Sequence, residues 1–506
     1  MEQLVSTLNG IVWSPALIYL CLGAGLFYSV LTRFVQVRMF KEMCILLFTN
    51  KDSDKGISSF QALAVSLSGR VGTGNIAGVA AAIGFGGPGA VFWMWVVAFL
   101  GAATAYIEST LAQIYKEEDN GQYRGGPAFY FEKALGQRWY GVVFAVAMII
   151  SCGLCLPGVQ ANSIGNAVET AFGSGAIIST GLGDFSFTKI LVGTVILIAL
   201  ALIIFGGVKR IAAVAQIVVP FMALTYIIVA SVIVALNITE LPGIVGMILS
   251  DAFSPIAGLG AAIGWGVKRG VYSNEAGQGT GPHPAAAAEV DHPAQQGLVQ
   301  AFSVYVDTLF VCSATAFMIL ITGAYNVHGP GETFLVQNVA AEIAANSPAF
   351  TQAAIESTLP TVGAPFVAFA LMFFAFTTIL AYYYIAETNV AYLNRFLHVP
   401  ALGLALKIGL MAATFYGTIK TADLAWGLGD FGVGLTAWLN IVGILVIFFI
   451  SRPAFAALKD YEAQRKQGVK DYTFDPKALG ISKAEFWEQR YSETTGNKSE
   501  PQLKDG

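Results

Sequence analysis

Charged residues are scarce in this chain. Asp, Glu, Lys and Arg make up 12% of its 506 residues, whereas a typical soluble domain carries about 25%. Hydrophobic residues make up 55%, and the mean hydropathy is +0.64. The scarcity of charge excludes an ordinary water-soluble domain. The apolar excess predicts an all-α protein that crosses a membrane many times and has the lipid bilayer as its surroundings.

An excess of basic charge is also missing. The 28 Lys and Arg stand against 32 Asp and Glu, which gives a formal net charge of −4. Domains that bind nucleic acid are basic, so no nucleic-acid partner is expected. The first ten residues lack a basic segment, and no small-residue cleavage site follows them. We therefore expect the first apolar stretch to be a retained helix rather than a signal peptide.

Metal-binding and redox-active side chains are few. Of five cysteines, Cys152 and Cys155 form a C-x-x-C within an apolar run, and two buried thiols one helical turn apart are the simpler interpretation. Among four histidines, His283 and His292 share a loop without a third ligand at zinc spacing. No cofactor, no metal site among the Cys and His residues, and no enzymatic activity are expected.

Apolar sequence of membrane-spanning length, about 20 residues, is abundant. Eleven segments qualify, and we number them spans 1 to 11. Their approximate limits are 11–32, 58–84, 89–114, 140–163, 188–206, 211–236, 256–275, 297–323, 363–391, 401–419 and 431–451. Spans 2 and 7 are the least uniform, because glycine and polar residues interrupt them.

The basic residues predict how the chain is oriented. With eleven spans, all but three of the 28 Lys and Arg fall on one side, and the long loop 324–361 on the other side has none. Lys and Arg gather in cytoplasmic loops. The N-terminus is therefore predicted outside and the C-terminus in the cytoplasm.

Eleven spans divide naturally into one extra helix and two halves of five. Two odd-numbered halves in tandem lie in opposite orientations, which is the inverted-repeat plan of many secondary transporters. The predicted units are an N-terminal helix and loop, a first repeat (spans 2–6), a second repeat (spans 7–11) and a cytoplasmic tail, at residues 1–57, 58–236, 256–451 and 452–506. Each repeat then opens with an interrupted span.

The tail is polar and carries charges of both signs. We expect it to be solvated. A short amphipathic helix at 481–491 with a regulatory role is the alternative.

The interruption of span 2 is the first candidate site. Its G-T-G-N run covers Gly72 to Asn75, with Arg70 just before it. Each glycine weakens a helix by roughly 1 kcal/mol, and backbone groups freed inside a membrane bind ions and small polar solutes. Free amides at the start of a half-helix favour a carboxylate, and free carbonyls at the end of one favour a cation. Close packing of small residues is the alternative, but it does not account for Arg70 or Asn75.

Span 7 is predicted to be interrupted near Ile263 to Gly266. Trp265 then walls a substrate pocket, unless it belongs to the aromatic belt at the membrane interface. Lys268 and Arg269 are placed at the cytoplasmic end of this span. There they are either topology signals or half of an inner gate that pairs with an acid such as Glu275.

Polar residues inside other spans are weaker candidates. Gln160 and Asn162 carry amides that suit a substrate pocket or bonds between helices. Thr377 and Thr378 carry hydroxyl oxygens that suit Na⁺, although threonine in a membrane helix often bonds back to its own backbone.

Three acids also lie within spans: Glu108, Asp307 and Glu387. Such acids are functional candidates, and each is also a possible partner for Arg70.

Four ungapped motifs carry a family resemblance: S-G-R-V-G-T-G-N-I-A-G-V-A at 68–80, G-W-G-V-K-R-G at 264–270, S-N-E-A-G-Q-G-T-G-P at 273–282 and D-H-P-A-Q-Q-G-L at 291–298. In them the chain resembles the alanine or glycine:cation symporters, also called sodium:alanine symporters, of the amino acid–polyamine–organocation superfamily. The resemblance implies an inverted five-helix repeat with a leucine-transporter-like core, one extra N-terminal helix, and a bacterial or archaeal cytoplasmic membrane.

The resemblance also implies a function. It points to Na⁺-coupled import of alanine or glycine by alternating access, and a proton-coupled carrier that uses an acid such as Asp307 is the alternative.

The resemblance further implies which residues bind. Substrate-binding positions are Gly72, Thr73, Gly74 and Asn75 for the carboxylate, carbonyls around Ile263 for the ammonium, and Gln160 and Trp265 as pocket walls. Sodium-binding positions are the carbonyls of Ser68, Val71 and Phe374 and the hydroxyls of Thr377 and Thr378.

Overall fold

A computed structural model describes residues 2–48, 55–180, 183–254, 256–331 and 333–496. Within these ranges the chain is mainly helical, and its strands form three two-stranded antiparallel hairpins. The hairpins pair β1 (Glu117–Asp119) with β2 (Gln122–Arg124), β3 (Ile177–Thr180) with β4 (Gly183–Ser186), and β5 (Asn326–His328) with β6 (Phe334–Gln337).

The helices of the first half include two short π-helical segments, π1 and π2. In chain order they are α1 (Glu2–Val12), α2 (Pro15–Leu31), α3 (Val35–Arg38), α4 (Phe40–Leu46), α5 (Ser59–Arg70), π1 (Gly74–Gly78), α6 (Val79–Gly86), α7 (Ala90–Ile114), α8 (Pro127–Leu135), α9 (Arg138–Ile150), π2 (Ser151–Cys155), α10 (Leu156–Phe172), α11 (Phe187–Ile204), α12 (Gly207–Leu236) and α13 (Leu241–Phe253).

The second half contains a third π-helical segment, π3. Its helices are α14 (Leu259–Asn274), α15 (Pro282–Ala287), α16 (Pro293–Val304), π3 (Tyr305–Cys312), α17 (Ser313–Thr322), α18 (Ala349–Thr358), α19 (Gly363–Leu397), α20 (Ala401–Ile419), α21 (Ala422–Ile450), α22 (Pro453–Lys466) and α23 (Glu485–Gly496).

The described part of the chain is that of a multi-pass membrane protein. Eight helices are long and apolar enough to cross a membrane, or nine if α1 and α2, bent by 43°, form one span. They correspond to predicted spans 1, 3–6 and 8–11. Spans 2 and 7 are too short on either side of their breaks to qualify. The count of eleven and the inverted repeat stay predictions.

The structure confirms the break in span 2. Helix α5 begins with a capping box of Ser58 and Gln61 and ends at Arg70, because Val71 leaves helical geometry at φ −78° and ψ 88°. The chain resumes in the wider π1 segment and continues into α6. All residues from 70 to 84 are buried, as expected of irregular backbone at membrane depth.

The predicted break in span 7 is in the wrong place. Helix α14 runs unbroken through Ile263 to Gly266. A Cβ at Gly266 would lie 2.5 Å from both the Ala90 carbonyl oxygen and Trp93 Cβ, so this glycine allows close packing on α7. The real interruption covers 275–281, before α15.

Left-handed backbone produces that interruption. Glu275 has φ 57°, and Gly277 and Gly279 have φ 83° and 85°. Glycine adopts this region without a steric penalty, so the N-E-A-G-Q-G-T-G run, and not the earlier glycines, ends α14.

The prediction of a solvated tail is also wrong for the described residues. Phe474 and Trp487 are 2% and 1% exposed. Helix α22 packs against α7, and α23 packs against β1. The C-x-x-C pair is buried as expected, and both thiols are free within π2.

Candidate functional site

The break in span 2 frees backbone amides that polar side chains then hold. The Gly72 N–H donates to Asn75 Oδ1 at 2.8 Å, and the Thr73 N–H donates to Gln160 Oε1 at 3.0 Å. The buried Thr73 hydroxyl has no hydrogen-bond partner among the described residues. These groups can equally serve a ligand, since amides at the start of a half-helix attract a carboxylate. Gln160 therefore lies beside the break, and its role as a pocket wall stays a prediction.

Asn75 connects the break to a buried acid in π3. Its side-chain amide donates to Asp307 Oδ1 at 2.6 Å. Ser273 and Thr308 also donate to the same carboxylate, at 3.0 and 2.7 Å. Asp307 is fully buried, and π-helical segments such as π1 and π3 often occur at functional sites.

Four of the five residues predicted to bind sodium lie together: three of their carbonyl oxygens surround the hydroxyl of the fourth, Thr378. Thr378 Oγ1 lies 2.7 Å from the Ser68 carbonyl oxygen, 2.9 Å from that of Phe374 and 3.5 Å from that of Val71. Thr377 Oγ1 contacts the same Phe374 carbonyl at 3.1 Å and the Phe373 carbonyl at 2.9 Å, and both carbonyls belong to its own helix. A set of uncharged oxygens at the end of a half-helix fits a small hard cation.

Gly72 lies between this oxygen cluster and Gln160. A Cβ at this position would be 2.5 Å from Thr378 Oγ1 and 2.9 Å from Gln160 Oε1. The ion candidate and the substrate candidate therefore adjoin at a single residue of the break.

Helix α14 meets the break through its last turn. A Cβ on Gly74 would lie 3.1 Å from Ser273 Cα and 3.2 Å from Tyr272 Cδ1. Ile263 and Trp265 lie about two to three turns earlier in the same helix. The Ile263 carbonyl is inside the continuous helix, so it does not belong to a break that could offer it to an ammonium group.

Trp265 instead walls a cavity of about 310 Å³ on the face that carries the N-terminus. Its ring stacks on Phe85 at 4.7 Å between centroids. Other lining residues are Arg269, Trp426 and Asp430. The indole therefore has a pocket position, although not beside the break.

A buried ion pair closes the floor of this cavity. The Arg269 guanidinium contacts the Asp430 carboxylate at 2.7 and 3.0 Å, and Lys268 Nζ contacts it at 2.6 Å. A Cβ on Gly78 of π1 would be 3.9 Å from Arg269 Cδ. The pair thus separates the cavity from π1, and it joins α14 to α21.

The predicted roles of these two basic residues are corrected. Both lie inside α14 and not at the end of span 7, so they are not loop charges. Their partner is Asp430 and not Glu275, whose carboxylate accepts the Thr280 hydroxyl at 2.7 Å.

The other two acids within spans have partners outside the break in span 2, although Glu108 also accepts from the Gly277 N–H, in the interruption of span 7, at 3.2 Å. Glu108 accepts from the Asn440 amide at 2.6 Å, and Glu387 pairs with Arg124 at 2.7 Å. Asp307 is the acid that lies at the break.

Arg70 does not form an ion pair with any of the three acids. One of its guanidinium nitrogens, Nη1, donates to the Gln300 carbonyl and the Ser303 hydroxyl, while Nε and Nη2 have no hydrogen-bond partner among the described residues. Asn162 bonds to the carbonyls of Gly417 and Lys420 and thus links helices α10 and α20.

Sequence reasoning missed three residues at this site: Tyr272, Ser273 and Asp430. The glycine-rich run after Asn274 was the available signal, because it marks the true end of α14. Asp430 lies in an apolar helix and gave no signal of its partner, which is more than 150 positions away in the chain.

Comparison with known proteins identifies the family. The model of the sodium:alanine symporter family matches residues 1–476. A putative sodium/proton-dependent alanine carrier protein, YrbD, from Bacillus subtilis is 58% identical, over 97% of this chain and 99% of that protein. The sodium/proton-dependent alanine carrier protein of Bacillus sp. (strain PS3) is 50% identical, over 89% and 98%.

A more distant relative and a solved structure are also similar. The sodium/alanine symporter AgcS of Methanococcus maripaludis is 38% identical, over 88% of this chain and 94% of that protein. A crystal structure of MhsT in complex with L-phenylalanine covers 79% of this chain and 99% of its own, at 16% identity and a TM-score of 0.44. On the family match and the close relatives, this chain belongs to the sodium:alanine symporter family.

Proposed function

We propose that this chain is a Na⁺-coupled symporter that imports alanine or glycine across the cytoplasmic membrane by alternating access. One observation carries the proposal: the oxygen cluster around Thr378 and the amides of the break meet at Gly72. Two adjoining sites of this kind allow a bound ion and a bound zwitterion to raise each other's affinity. The names of the relatives, which include two sodium/proton-dependent alanine carriers and a sodium/alanine symporter, support alanine as the substrate and Na⁺ or H⁺ as the coupling ion.

The substrate carboxylate binds at Gly72 to Asn75. There the free amides and the positive end of the half-helix favour an anion. Gln160 and the Thr73 hydroxyl lie in the same place and complete the carboxylate site. The ammonium group is accepted by carbonyls at the end of α14, next to Ser273, where left-handed backbone ends the helix.

The coupling ion binds among the oxygens of Ser68, Val71, Phe374 and Thr378, with Thr377 next to them. Its charge then lies one residue from the carboxylate site, so each ligand favours the other. One Na⁺ that moves down a potential of 100 mV supplies about 2.3 kcal/mol.

The substrate path runs from the cavity beside Trp265 to the break in span 2. With the N-terminus outside, this cavity faces the exterior and receives the substrate. The Arg269–Asp430 pair opens and closes above the bound ligands, while four helices of the core rock against the others.

Uptake into proteoliposomes tests the function. Labelled alanine is offered with an inward Na⁺ gradient, with choline in place of Na⁺, or with an inward proton gradient without Na⁺. We expect concentrative uptake with Na⁺ alone, and competition by unlabelled glycine. Uptake that does not depend on Na⁺ would contradict the proposal.

Proton coupling is a second candidate, and the place of Asp307 favours it. The carboxylate is buried at the break and bonded to Asn75, so protonation there would reach the substrate site directly. In that case uptake follows the proton gradient without Na⁺, and Asp307→Asn abolishes this dependence.

A further inference from the structure

The C-terminal segment 471–491 is docked on the molecule. Its buried side chains are Phe474, Ile481, Ala484 and Trp487. The Trp487 indole N–H donates to the Gln113 carbonyl, in the last turn of α7, at 2.7 Å. A buried tryptophan with a satisfied N–H contributes a large apolar area, so the segment has a defined seat.

The centre of that seat is a cage of aromatic rings around Lys116. Its Nζ lies 4.3 Å from the ring centroid of Tyr123, 4.5 Å from that of Phe486 and 5.4 Å from that of Trp487. The same nitrogen donates to the Ala288 carbonyl at 3.0 Å. Contacts of an ammonium group with aromatic faces at these distances are attractive, and two of the three rings come from the tail.

The tail also holds the loop that follows α15. Glu289 accepts from Arg490 at 2.5 Å and from the Tyr123 hydroxyl at 2.8 Å. Further along, His292 Nε2 lies 3.1 Å from the Asp460 carboxylate of α22. The loop between α15 and α16 is therefore fixed by contacts from both tail helices.

Helix α15 is the half of span 7 beyond the break, and its end is tied to the same place. The Gln113 side-chain amide donates to the carbonyls of Ala285 and Ala288. Since Trp487 bonds to the Gln113 backbone, α15, α7 and α23 meet at one residue. A half-helix of six residues cannot tilt while its exit loop stays in these contacts.

We propose that the segment 471–491 is a brake on transport. While it is docked, it holds α15 and the loop Ala288–His292 against the end of α7, and this face of the molecule stays closed. Its release frees the half-helix to move. The brake rests on the alternating access proposed above, because its effect is on the step that opens this face.

Trp487→Ala in the full-length protein tests the brake. We expect turnover of alanine uptake in proteoliposomes to rise several-fold with KM unchanged, and amide hydrogen exchange of residues 285–292 to become faster. Trp487→Phe keeps an aromatic ring, so its turnover and its exchange rates should lie between those of the native protein and those of Trp487→Ala. Trp139→Ala is the matched control, since Trp139 is 63% exposed, and it should change neither measurement.

Unchanged exchange at 285–292 in Trp487→Ala would overturn the docking, and unchanged or slower turnover would overturn the brake. If Trp487→Ala does not fold, Arg490→Gln removes the ion pairs with Glu289 and Asp291 of the same loop and is judged by the same measurements. If the unaltered protein does not take up alanine, the proposed function fails. Exchange then still decides whether the tail holds this loop.

Discussion

At the scale of single residues, Gly72 is the position where the candidate ion and substrate sites meet. Gly72→Ala places a methyl group within 2.5 Å of the Thr378 hydroxyl and 2.9 Å of the Gln160 side chain. Overpacking of this kind costs about 1–3 kcal/mol. We expect alanine uptake to be lost while the protein still folds, as measured by uptake and thermal unfolding.

Gly243→Ala is the control for that substitution. No heavy atom lies within 4 Å of a Cβ at Gly243, and this glycine lies in a helix, α13. Gly243→Ala should leave alanine uptake unchanged. An equal loss of uptake in both variants would contradict the assignment of Gly72.

Thr378 supplies the one hydroxyl that touches all three carbonyls of the proposed ion site. Thr378→Ala removes that oxygen, so the Na⁺ concentration for half-maximal uptake should rise, by tenfold for each 1.4 kcal/mol of binding lost. Thr378→Ser keeps the oxygen and should behave nearly as the native protein does. Thr377→Ala should have the smaller effect, because Thr377 bonds mainly within its own helix. The reverse order would contradict the site.

The sequence predicted those residues better than it predicted their partners. Gly72 to Asn75 stand out by residue type, because glycine at this density and a buried Asn are unusual in an apolar span. Thr377 and Thr378 are weak candidates by residue type, and their proposed role comes from the family resemblance. That Asn75 bonds to Asp307, and that Ser273 reaches the same carboxylate, depends on how distant helices pack. Nothing local to those residues encodes that packing.

At the scale of elements, the two breaks were predicted with unequal success. In span 2, glycines, Arg70 and Asn75 coincide, and the helix ends there. In span 7, Gly266 provides close packing on α7 instead, and the helix continues through it. Composition alone does not distinguish a glycine that ends a helix from one that lets two helices approach. Left-handed backbone at Glu275, Gly277 and Gly279 decides where α14 ends.

The ion pair between α14 and α21 makes a prediction at this scale. Asp430→Asn leaves the cations of Arg269 and Lys268 without their carboxylate, and breaking a buried pair costs about 3–5 kcal/mol. We expect a lower unfolding temperature and slower uptake. The double variant Arg269→Gln with Asp430→Asn should recover part of the stability, because no unpaired guanidinium remains. Additive losses in the double-mutant cycle would contradict direct coupling of the two side chains.

The surroundings of Lys116, on which the tail docks, predict that docking depends on pH. Burial lowers the pKa of the Lys116 ammonium from its ordinary 10.5 to about 7; Glu289 opposes this shift and Arg490 adds to it. Burial outweighs the attraction of the aromatic rings for the ammonium group, so the docked state holds this proton less tightly than a solvated lysine does. Docking should strengthen as the pH rises from 7 towards 10.5, and level off below 7.

Limited trypsin cleavage of the tail at pH 7 and pH 9 measures this effect. Lys116→Met, which cannot titrate at this position, is the control that cancels the pH dependence of the protease. A cavity of about 510 Å³ lies beside Lys116, and the other charged residues that line it are present in both proteins: Lys55, Glu117, Glu118, Lys133, Glu485 and Glu493. We expect the tail of the native protein, relative to Lys116→Met, to be better protected at pH 9. If the ratio of native to Lys116→Met cleavage rates is the same at pH 7 and pH 9, the role of Lys116 is contradicted.

At the scale of the whole molecule, the two faces are closed differently. On the face of the N-terminus, the Arg269–Asp430 pair lies beneath an open cavity of about 310 Å³. On the opposite face, Arg124 pairs with Glu387 at 2.7 Å and Arg395 with Glu117 at 2.7 Å. These two pairs tie the β1–β2 hairpin, which follows α7, to α19.

The class of the molecule could be predicted because composition alone requires it. Few charges and many apolar stretches leave a multi-pass helical membrane protein as the consistent solution. The docked tail could not be predicted, since its residues are polar on average and are buried only by surfaces distant in the chain. Helix α13 was missed for a different reason: it has 13 residues, which are mostly apolar but too few for a span.

Linked binding of ion and substrate tests the central claim most directly. If both ligands adjoin at Gly72, Na⁺ must raise the affinity for alanine, and alanine must raise the affinity for Na⁺ by the same factor. Equilibrium binding of labelled alanine to the purified protein across a series of Na⁺ concentrations, with the reciprocal titration, measures both factors. We predict equal factors above one in the native protein and a factor near one in Thr378→Ala. Alanine affinity that is independent of Na⁺ would contradict the account.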